Sequence, residues 1–325
     1  MTLTVAERRF KIAGAFTISR GSRTEARVVE VQLSNGEARG QGECVPYARY
    51  GETVESVMAE IEGLRGAIEG GLDRAGLQSA LPAGAARNAV DCAYWDLEAK
   101  RSGRPAWQLA GLPAPGPEIT AYTLSLDTPE AMRAKAAENA HRPLLKIKLG
   151  GAGDLDRLRA VRAGAPEARL VIDANEGWDA AAYGALAPEL LGLGVEMVEQ
   201  PLPASDDAAL AEMARPLPVC ADEAGHDRAT LPKLTGKYDM LNIKLDKTGG
   251  LTEALALRRE AEAAGFKIMV GCMIGSSLAM APAVLVAQGA AVTDLDAPLL
   301  LAEDRAHPMH YDAAGIHPAP PALWG

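Results

Sequence analysis

The chain has 325 residues, 48% of them hydrophobic and 23% charged, which suits one large globular domain or a large one with a smaller companion. A formal charge of −10 and a pI near 5.1 argue against nucleic acid or an anionic membrane surface as partner. Four scattered cysteines with no CxxC pair, a charged N-terminal stretch (MTLTVAERRFKIAG) and no run near the roughly 20 apolar residues of a membrane span predict a soluble, cytoplasmic protein with reduced thiols.

In chain order, ARVVEVQLS (26–34) alternates as a strand does, NG at 35–36 is a hairpin turn, and EARGQGECV returns antiparallel. Two helical segments follow, ESVMAEIEGLRGAIEG and AARNAVDCAYWDLEAKRSG. The second has Ala89, Cys92, Ala93, Asp96 and Leu97 at helical spacing and Gly103 as its stop. GLPAPGPE (111–118) is Pro/Gly punctuation and marks a domain boundary. Beyond it, short β-like runs recur: ITAYTLSL, LLKIKLG, RLVIDAN, VEMVEQP, LPVCADE, DMLNIKL, KIMVGCM and a weaker one at AVTDLD. They lie about 22–26 residues apart with Ala/Leu/Glu-rich helical sequence between them. Repeated βα units of this length predict an α/β fold with a parallel sheet, closed as a compact TIM-type barrel. An open doubly wound sheet is the alternative, but no G-x-G-x-x-G turn follows the first run.

Polar residues fall at the C-terminal ends of these runs, where barrel enzymes build active sites. Asp173, Glu199 and Asp222 end the third, fourth and fifth runs, roughly 25 residues apart. Any one such acid could pair with an arginine or cap a helix. Three at matching positions in consecutive units would repel one another unless a cation joined them. An all-oxygen set favours Mg²⁺, with Mn²⁺ as an alternative, and makes zinc a poor fit. Asn175 and Glu223 are placed to support the ligands. Lys146 and Lys148 share one strand face by the period of two, and Lys244 ends the sixth run, so Lys148 and Lys244 can face each other across a metal-bound substrate. A lysine becomes a general base when nearby positive charge lowers its pKa. Lys247, just past the strand end, reads as a solvated lysine.

In this order and spacing, K-x-K, D-x-N, E-Q-P, D-E and N-I-K-x-x-K-x-G-G resemble the enolase superfamily, muconate-lactonising subgroup. The resemblance spans nearly the whole chain. It implies a modified (β/α)7β TIM barrel at 116–304 and an N-terminal α+β capping domain at 1–115, completed by the tail at about 305–325. Within the subgroup, RGSRTEAR (20–27), GECVPYARYGET (42–53), LPAGAARNAVDCAYWDL (81–97) and Asp294-Leu295-Asp296 resemble the dipeptide epimerases. The seventh run ends GCMIGSS, without the histidine of the His–Asp dyad found in mandelate-racemase-like members.

The resemblance implies Mg-dependent epimerisation at the C-terminal residue of dipeptides, with L-Ala-D-Glu to L-Ala-L-Glu the leading pair, and a role in murein peptide recycling. Lys148 and Lys244 would exchange the α-proton through an enediolate, with Lys146 adding positive charge. Asp294 and Asp296 would take the substrate's free ammonium by charge-assisted hydrogen bonds. Arg20 or Arg23 in the cap would take the acidic side chain, since arginine suits bidentate carboxylate binding. Thr123 and the segment Cys272, Met273 and Ile274 match positions that touch substrate. N-succinylamino-acid racemase, o-succinylbenzoate synthase and cycloisomerase are the rival reactions on the same barrel, and a non-catalytic ligand-binding barrel is the rival of another class. The only partner implied is the small-molecule substrate, and a homo-oligomer is left open.

Overall fold

A computed structural model describes all 325 residues. Its first sheet is antiparallel, with strands β1 (Thr2–Ile18), β2 (Gly21–Asn35) and β3 (Ala38–Cys44) in the order β1-β2-β3. The Asn35-Gly36 step makes the expected turn, with Gly36 at φ 64°. Strand β1 is longer than β2 and has no counterpart in the expectations above. Its sequence, TLTVAERRFKIAGAFTI, leaves most residues exposed or half-buried, so no clean alternation announces it. The two expected helical segments form helices at Val54–Gly63, Arg65–Glu69 and Ala85–Ser102, and Gly103 ends the last in the left-handed conformation. A short helix at Arg74–Ala80, capped by Asp73, was not anticipated. These elements enclose a separate apolar core that includes Val29, Val31, Leu33, Val57, Ile61 and Leu97.

Eight parallel strands follow: β4 (Tyr122–Leu124), β5 (Leu144–Lys148), β6 (Arg169–Asp173), β7 (Val195–Glu199), β8 (Val219–Ala221), β9 (Met240–Ile243), β10 (Lys267–Gly271) and β11 (Val292–Asp294). They pair in sequence order, and a parallel bridge between Thr120 and Thr293, with Ala121 N–H donating to Thr293 O at 2.8 Å, closes the ring. All eight predicted runs are strands of this barrel. The tail makes a small hairpin, β12 (Tyr311–Asp312) with β13 (Gly315–Ile316), and then runs back to the helix Ala85–Ser102, where Trp324 Nε1 donates to Cys92 O at 3.0 Å.

The barrel interior is layered. Ala121, Leu144, Val171, Met197, Cys220, Met240, Met269 and Val292 form one buried apolar cluster, one residue from each strand or its first flanking position. Two residues further along every strand lies the next inward position. Those positions are Thr123, Lys146, Asp173, Glu199, Asp222, Asn242, Gly271 and Asp294. A plug of apolar side chains thus carries an almost wholly polar layer at the C-terminal end, which is where the fold places chemistry.

Candidate active site

The strand register brings the predicted residues together. Lys148, Asp173 and Glu199 are lateral neighbours across β5, β6 and β7, and Lys146 stands beside Thr123 of β4. Asp173 and Glu199 are fully buried and Asp222 is nearly so. Lys148 Nζ lies 2.5 Å from Asp173 Oδ2, and Lys244 Nζ lies 2.7 Å from Asp222 Oδ2. Lys146 Nζ touches three acids: Glu199 Oε2 at 2.6 Å, Asp294 Oδ2 at 2.7 Å and Asp173 Oδ2 at 3.2 Å. Gly271 makes room for this packing, since a Cβ there would come within 2.7 Å of the Asn242 side chain and 3.1 Å of Lys244 Cε.

Burial works against charge throughout, and the neighbours decide the outcome. At Lys146 it is overcome by Asp294, Glu199 and Asp173, which hold the ammonium well above its ordinary range. Lys244 is likewise raised, against burial, by Asp222 and Glu199. Asp173 is lowered, Lys148 and Lys146 outweighing its burial, and Asp222 is lowered by Lys244 and Lys247. Glu199 goes the other way: burial and the charge of Asp173 push it up to about 7.

Lys247 corrects the sequence reading. It is not solvated; its side chain is fully buried, and Nζ donates to Asp222 Oδ1 at 2.7 Å, Asp222 O at 2.6 Å and Asn242 O at 2.9 Å. The helical turn at Leu245–Thr248 swings it back under the end of β9, which a strand-based reading could not foresee. Two other supports were also missed. Asn242 Nδ2 donates to Glu199 Oε1 at 2.6 Å, and its position two residues before Lys244 was the available signal. Gln200, in the quoted E-Q-P motif, accepts the Asp222 and Ala224 N–H groups at 3.0 and 3.1 Å, with its backbone at φ 35°. Asn175 sits at φ 46° and donates its N–H to Asp173 Oδ1 at 2.9 Å.

The two cap arginines differ. Arg20 is committed within the protein: it donates to Glu223 Oε1 at 2.7 Å, Tyr47 OH at 2.9 Å and Asn175 O at 2.9 Å, and pairs with Glu176 at 3.3 Å. Arg23 makes no ion pair or side-chain hydrogen bond; its guanidinium lies 5.6 Å from the Tyr47 ring centroid. Two small cavities meet here. One, of about 90 Å³, is lined by Arg20, Arg23 and Tyr47 from the first domain. The other, of about 40 Å³, is lined by Thr123, Lys146, Asp294 and Asp296. Phe16, Lys148, Lys244 and Cys272–Ile274 line both. Asp296 Oδ2 accepts the Thr123 N–H at 2.6 Å, and Asp294 Oδ1 is buried with no hydrogen-bond partner. The arrangement is a cleft with two lysines in its middle, a free arginine at one end and two carboxylates at the other.

Residues 1–111 match the family model for the mandelate racemase / muconate lactonizing enzyme N-terminal domain, and residues 130–318 match the enolase C-terminal domain-like model. The chain belongs to the enolase superfamily. Among its relatives in that superfamily, the L-Ala-D/L-Glu epimerase of Escherichia coli K12 is 47% identical over 97% of this chain and 99% of its own. The N-acetyl-D-glutamate racemase of a Pseudoalteromonas species is 43% identical over 92% and 95%. A superfamily member of Agrobacterium tumefaciens with homology to dipeptide epimerases, solved with sodium and L-Ala-L-Glu, superposes with a TM-score of 0.97 at 56% identity over 99% of both chains. The dipeptide epimerase of Cytophaga hutchinsonii, solved with Mg and D-Ala-L-Val, gives a TM-score of 0.90 at 28% identity over 98% and 94%. As in any superfamily comparison, fold alone leaves the reaction to the site. No helix of this chain is long and apolar enough to cross a membrane.

Proposed function

We propose that this protein is an isomerase that inverts the α-carbon of the C-terminal residue of a dipeptide, with L-Ala-D-Glu and L-Ala-L-Glu as its leading pair. The observation that carries the reading is the cleft's polarity: Asp294 and Asp296 at one end, Arg23 at the other, and Lys148 and Lys244 shared between them. A dipeptide ending in glutamate has the matching order of groups: an ammonium, then a reacting α-carbon, then a side-chain carboxylate. The dipeptide bound by the Agrobacterium relative has this chemistry.

Asp173, Glu199 and Asp222 are buried at the ends of three consecutive strands and offer only carboxylate oxygens, a donor set that fits a hard divalent cation. Glu199 Oε2 supports the fit: it is buried, with Lys146 Nζ at 2.6 Å but off the line of a hydrogen bond. When bound there, Mg²⁺ would supply positive charge against the substrate carboxylate whose α-carbon is deprotonated. The remaining work falls to the chain. Lys148, entering from β5, takes the proton from the (R) form, and Lys244, entering from β9, takes it from the (S) form when neutral, which needs Asp222 and Glu199 to be engaged elsewhere than on its ammonium. The opposite lysine returns a proton to the other face. Lys146 keeps a permanent ammonium beside the acids because three carboxylates hold it charged. Asp294 and Asp296 orient the ammonium end, Thr123 fixes Asp296, and Cys272–Ile274 wall the cleft. Asn175 and Glu223 hold Asp173 and Arg20 in place. Arg23, rather than the committed Arg20, receives the glutamate side chain.

N-acylamino-acid racemisation is the second reading, favoured by the Pseudoalteromonas relative. Its substrate has no ammonium, and the buried acid pair counts against it. Incubating L-Ala-L-Glu with the protein and Mg²⁺ in D₂O tests the proposal. The glutamate Cα proton is expected to exchange, with L-Ala-D-Glu appearing in step. A dipeptide that keeps both its α-proton and its configuration would overturn the assignment. With this substrate the reaction would serve murein peptide recycling.

A further inference from the structure

We propose that the C-terminal hairpin carries a transition-metal site, distinct from the carboxylate cluster in the barrel, formed by His310, Asp312 and His317. In this hairpin Tyr311 pairs with Ile316 and Asp312 with Gly315, and the His317 N–H donates to His310 O at 2.9 Å, extending the ladder by one pair. Strand alternation therefore sets His310, Asp312 and His317 on one face and Tyr311 and Ile316 on the other. The second face is anchored: Tyr311 OH donates to Leu295 O at 2.8 Å, and Ile316, fully buried, exchanges backbone hydrogen bonds with Glu118 at 2.8 and 3.0 Å. The first face is open. The residue opposite Asp312 is Gly315, at φ 110°, where a Cβ would collide with Glu118 O. No side chain covers the carboxylate from that position.

Geometry and donor chemistry point to a bound ion. Asp312 Oδ2 lies 2.9 Å from His317 Nε2 and 3.3 Å from His310 Nε2, and the three atoms lie within 4.8 Å of one another. Ligand atoms about 2.0–2.1 Å from a common zinc ion are themselves roughly 3 Å apart. His317 Nε2 is buried beside Asp312 Oδ2 at 2.9 Å, in poor alignment for a hydrogen bond. The imidazole centroids are 4.7 Å apart, a spacing at which two imidazolium ions would repel. Two neutral rings and a carboxylate sharing a divalent cation satisfy all three. The carboxylate is also pre-set, since Asp312 Oδ1 accepts the Ala314 N–H at 2.8 Å and leaves Oδ2 for the ion. Two imidazoles and one carboxylate select Zn²⁺, Ni²⁺, Co²⁺ or Cu²⁺ over Mg²⁺ or Ca²⁺.

The test uses chelator-stripped full-length protein in saturating Mg²⁺, so that the barrel acids do not compete for the added ion. Calorimetric titration with Zn²⁺ at pH 7.5 should show one site, and Co²⁺ should give a visible ligand-field band with the same stoichiometry. His310→Gln and His317→Gln should each weaken binding about tenfold or more. The double variant should abolish it while leaving Mg²⁺-supported dipeptide turnover unchanged, which also shows that the variant folds. Affinity should fall on acidification, as protons compete with the metal for its ligands. Wild type that takes up no Zn²⁺, or a double variant that binds it with unchanged stoichiometry and affinity, would overturn the assignment.

Discussion

Asp296→Asn separates a dipeptide enzyme from one acting on N-acyl amino acids. Asp296 is buried and accepts the Thr123 N–H through Oδ2. Asparagine keeps an oxygen for that bond, so the substitution removes charge with little change in shape. A hydrogen bond from the substrate ammonium to a charged acceptor is worth about 1.5–3 kcal/mol. Its loss lowers kcat/KM for L-Ala-D-Glu by roughly 10- to 150-fold. N-acetyl-D-glutamate has no ammonium to lose, so any activity toward it should hold or rise. Burial, then the neighbouring Asp294, push Asp296 up to about 7. Below that pH it is protonated in the free enzyme and offers no charge to the ammonium. Wild-type kcat/KM for the dipeptide should therefore climb as pH rises through about 7, and the variant should lack that step. The assay is steady-state polarimetry on both substrates from pH 5.5 to 9. An equal loss on both substrates, or unchanged dipeptide kinetics, would refute the reasoning.

Four other outcomes follow from the same geometry. Lys148→Ala and Lys244→Ala should each abolish net epimerisation while at most one enantiomer still exchanges its α-proton in D₂O; a single variant with full two-way activity would break the two-base scheme. Arg23→Gln should lower kcat/KM for L-Ala-L-Glu about tenfold or more while sparing L-Ala-L-Leu, because only the glutamate presents a carboxylate. Lys247→Met strips a buried ammonium from Asp222 and should cost about 3–5 kcal/mol, read by calorimetry as a Tm lower by roughly 4–7 °C. Asp246 is pushed up to about 7 by burial; the folded state thus keeps a proton that the unfolded chain releases near pH 4, stability is lost as pH rises from about 4 through 7 by up to about 4 kcal/mol, and Asp246→Asn, which can still accept from Val45 N and Asn88 Nδ2, should flatten Tm against pH across that window.

The barrel half of the molecule was legible because its signals repeat. Most of the runs end in a polar residue, and the period of two maps Leu144 onto Lys146, Val171 onto Asp173 and Met197 onto Glu199 without knowledge of the neighbours. The reading failed where the chain leaves the repeat. Lys247 follows β9 by four residues, a distance at which sequence suggests solvent, but a single helical turn folds its ammonium back beneath Asp222. Its burial is a tertiary fact, and only its place in the N-I-K-x-x-K-x-G-G motif marked the residue.

On the proposed reading, specificity depends on register in a hairpin that sequence did not reveal. Strands β1 and β2 stay in step from Thr2↔Ser34 to Lys11↔Glu25, slip at an irregularity, and resume at Phe16↔Arg23. That slip pairs Arg23 with Phe16, and both reach the cleft above the lysines. Arg20, three residues earlier, falls in the turn after Ile18 and reaches Glu223 and Asn175 instead. A shift of one residue would exchange the faces of every side chain beyond the bulge. The two arginines look equivalent in RGSRTEAR, but Arg20 lies in the turn and clamps Asn175 and Glu223, while Arg23 lies on β2 opposite Phe16 and makes no ion pair. A deletion that removed the three surplus β1 residues there should alter which C-terminal side chains are accepted while leaving Lys148, Lys244 and the acids in place. Changes in substrate range within this architecture need not touch the barrel at all.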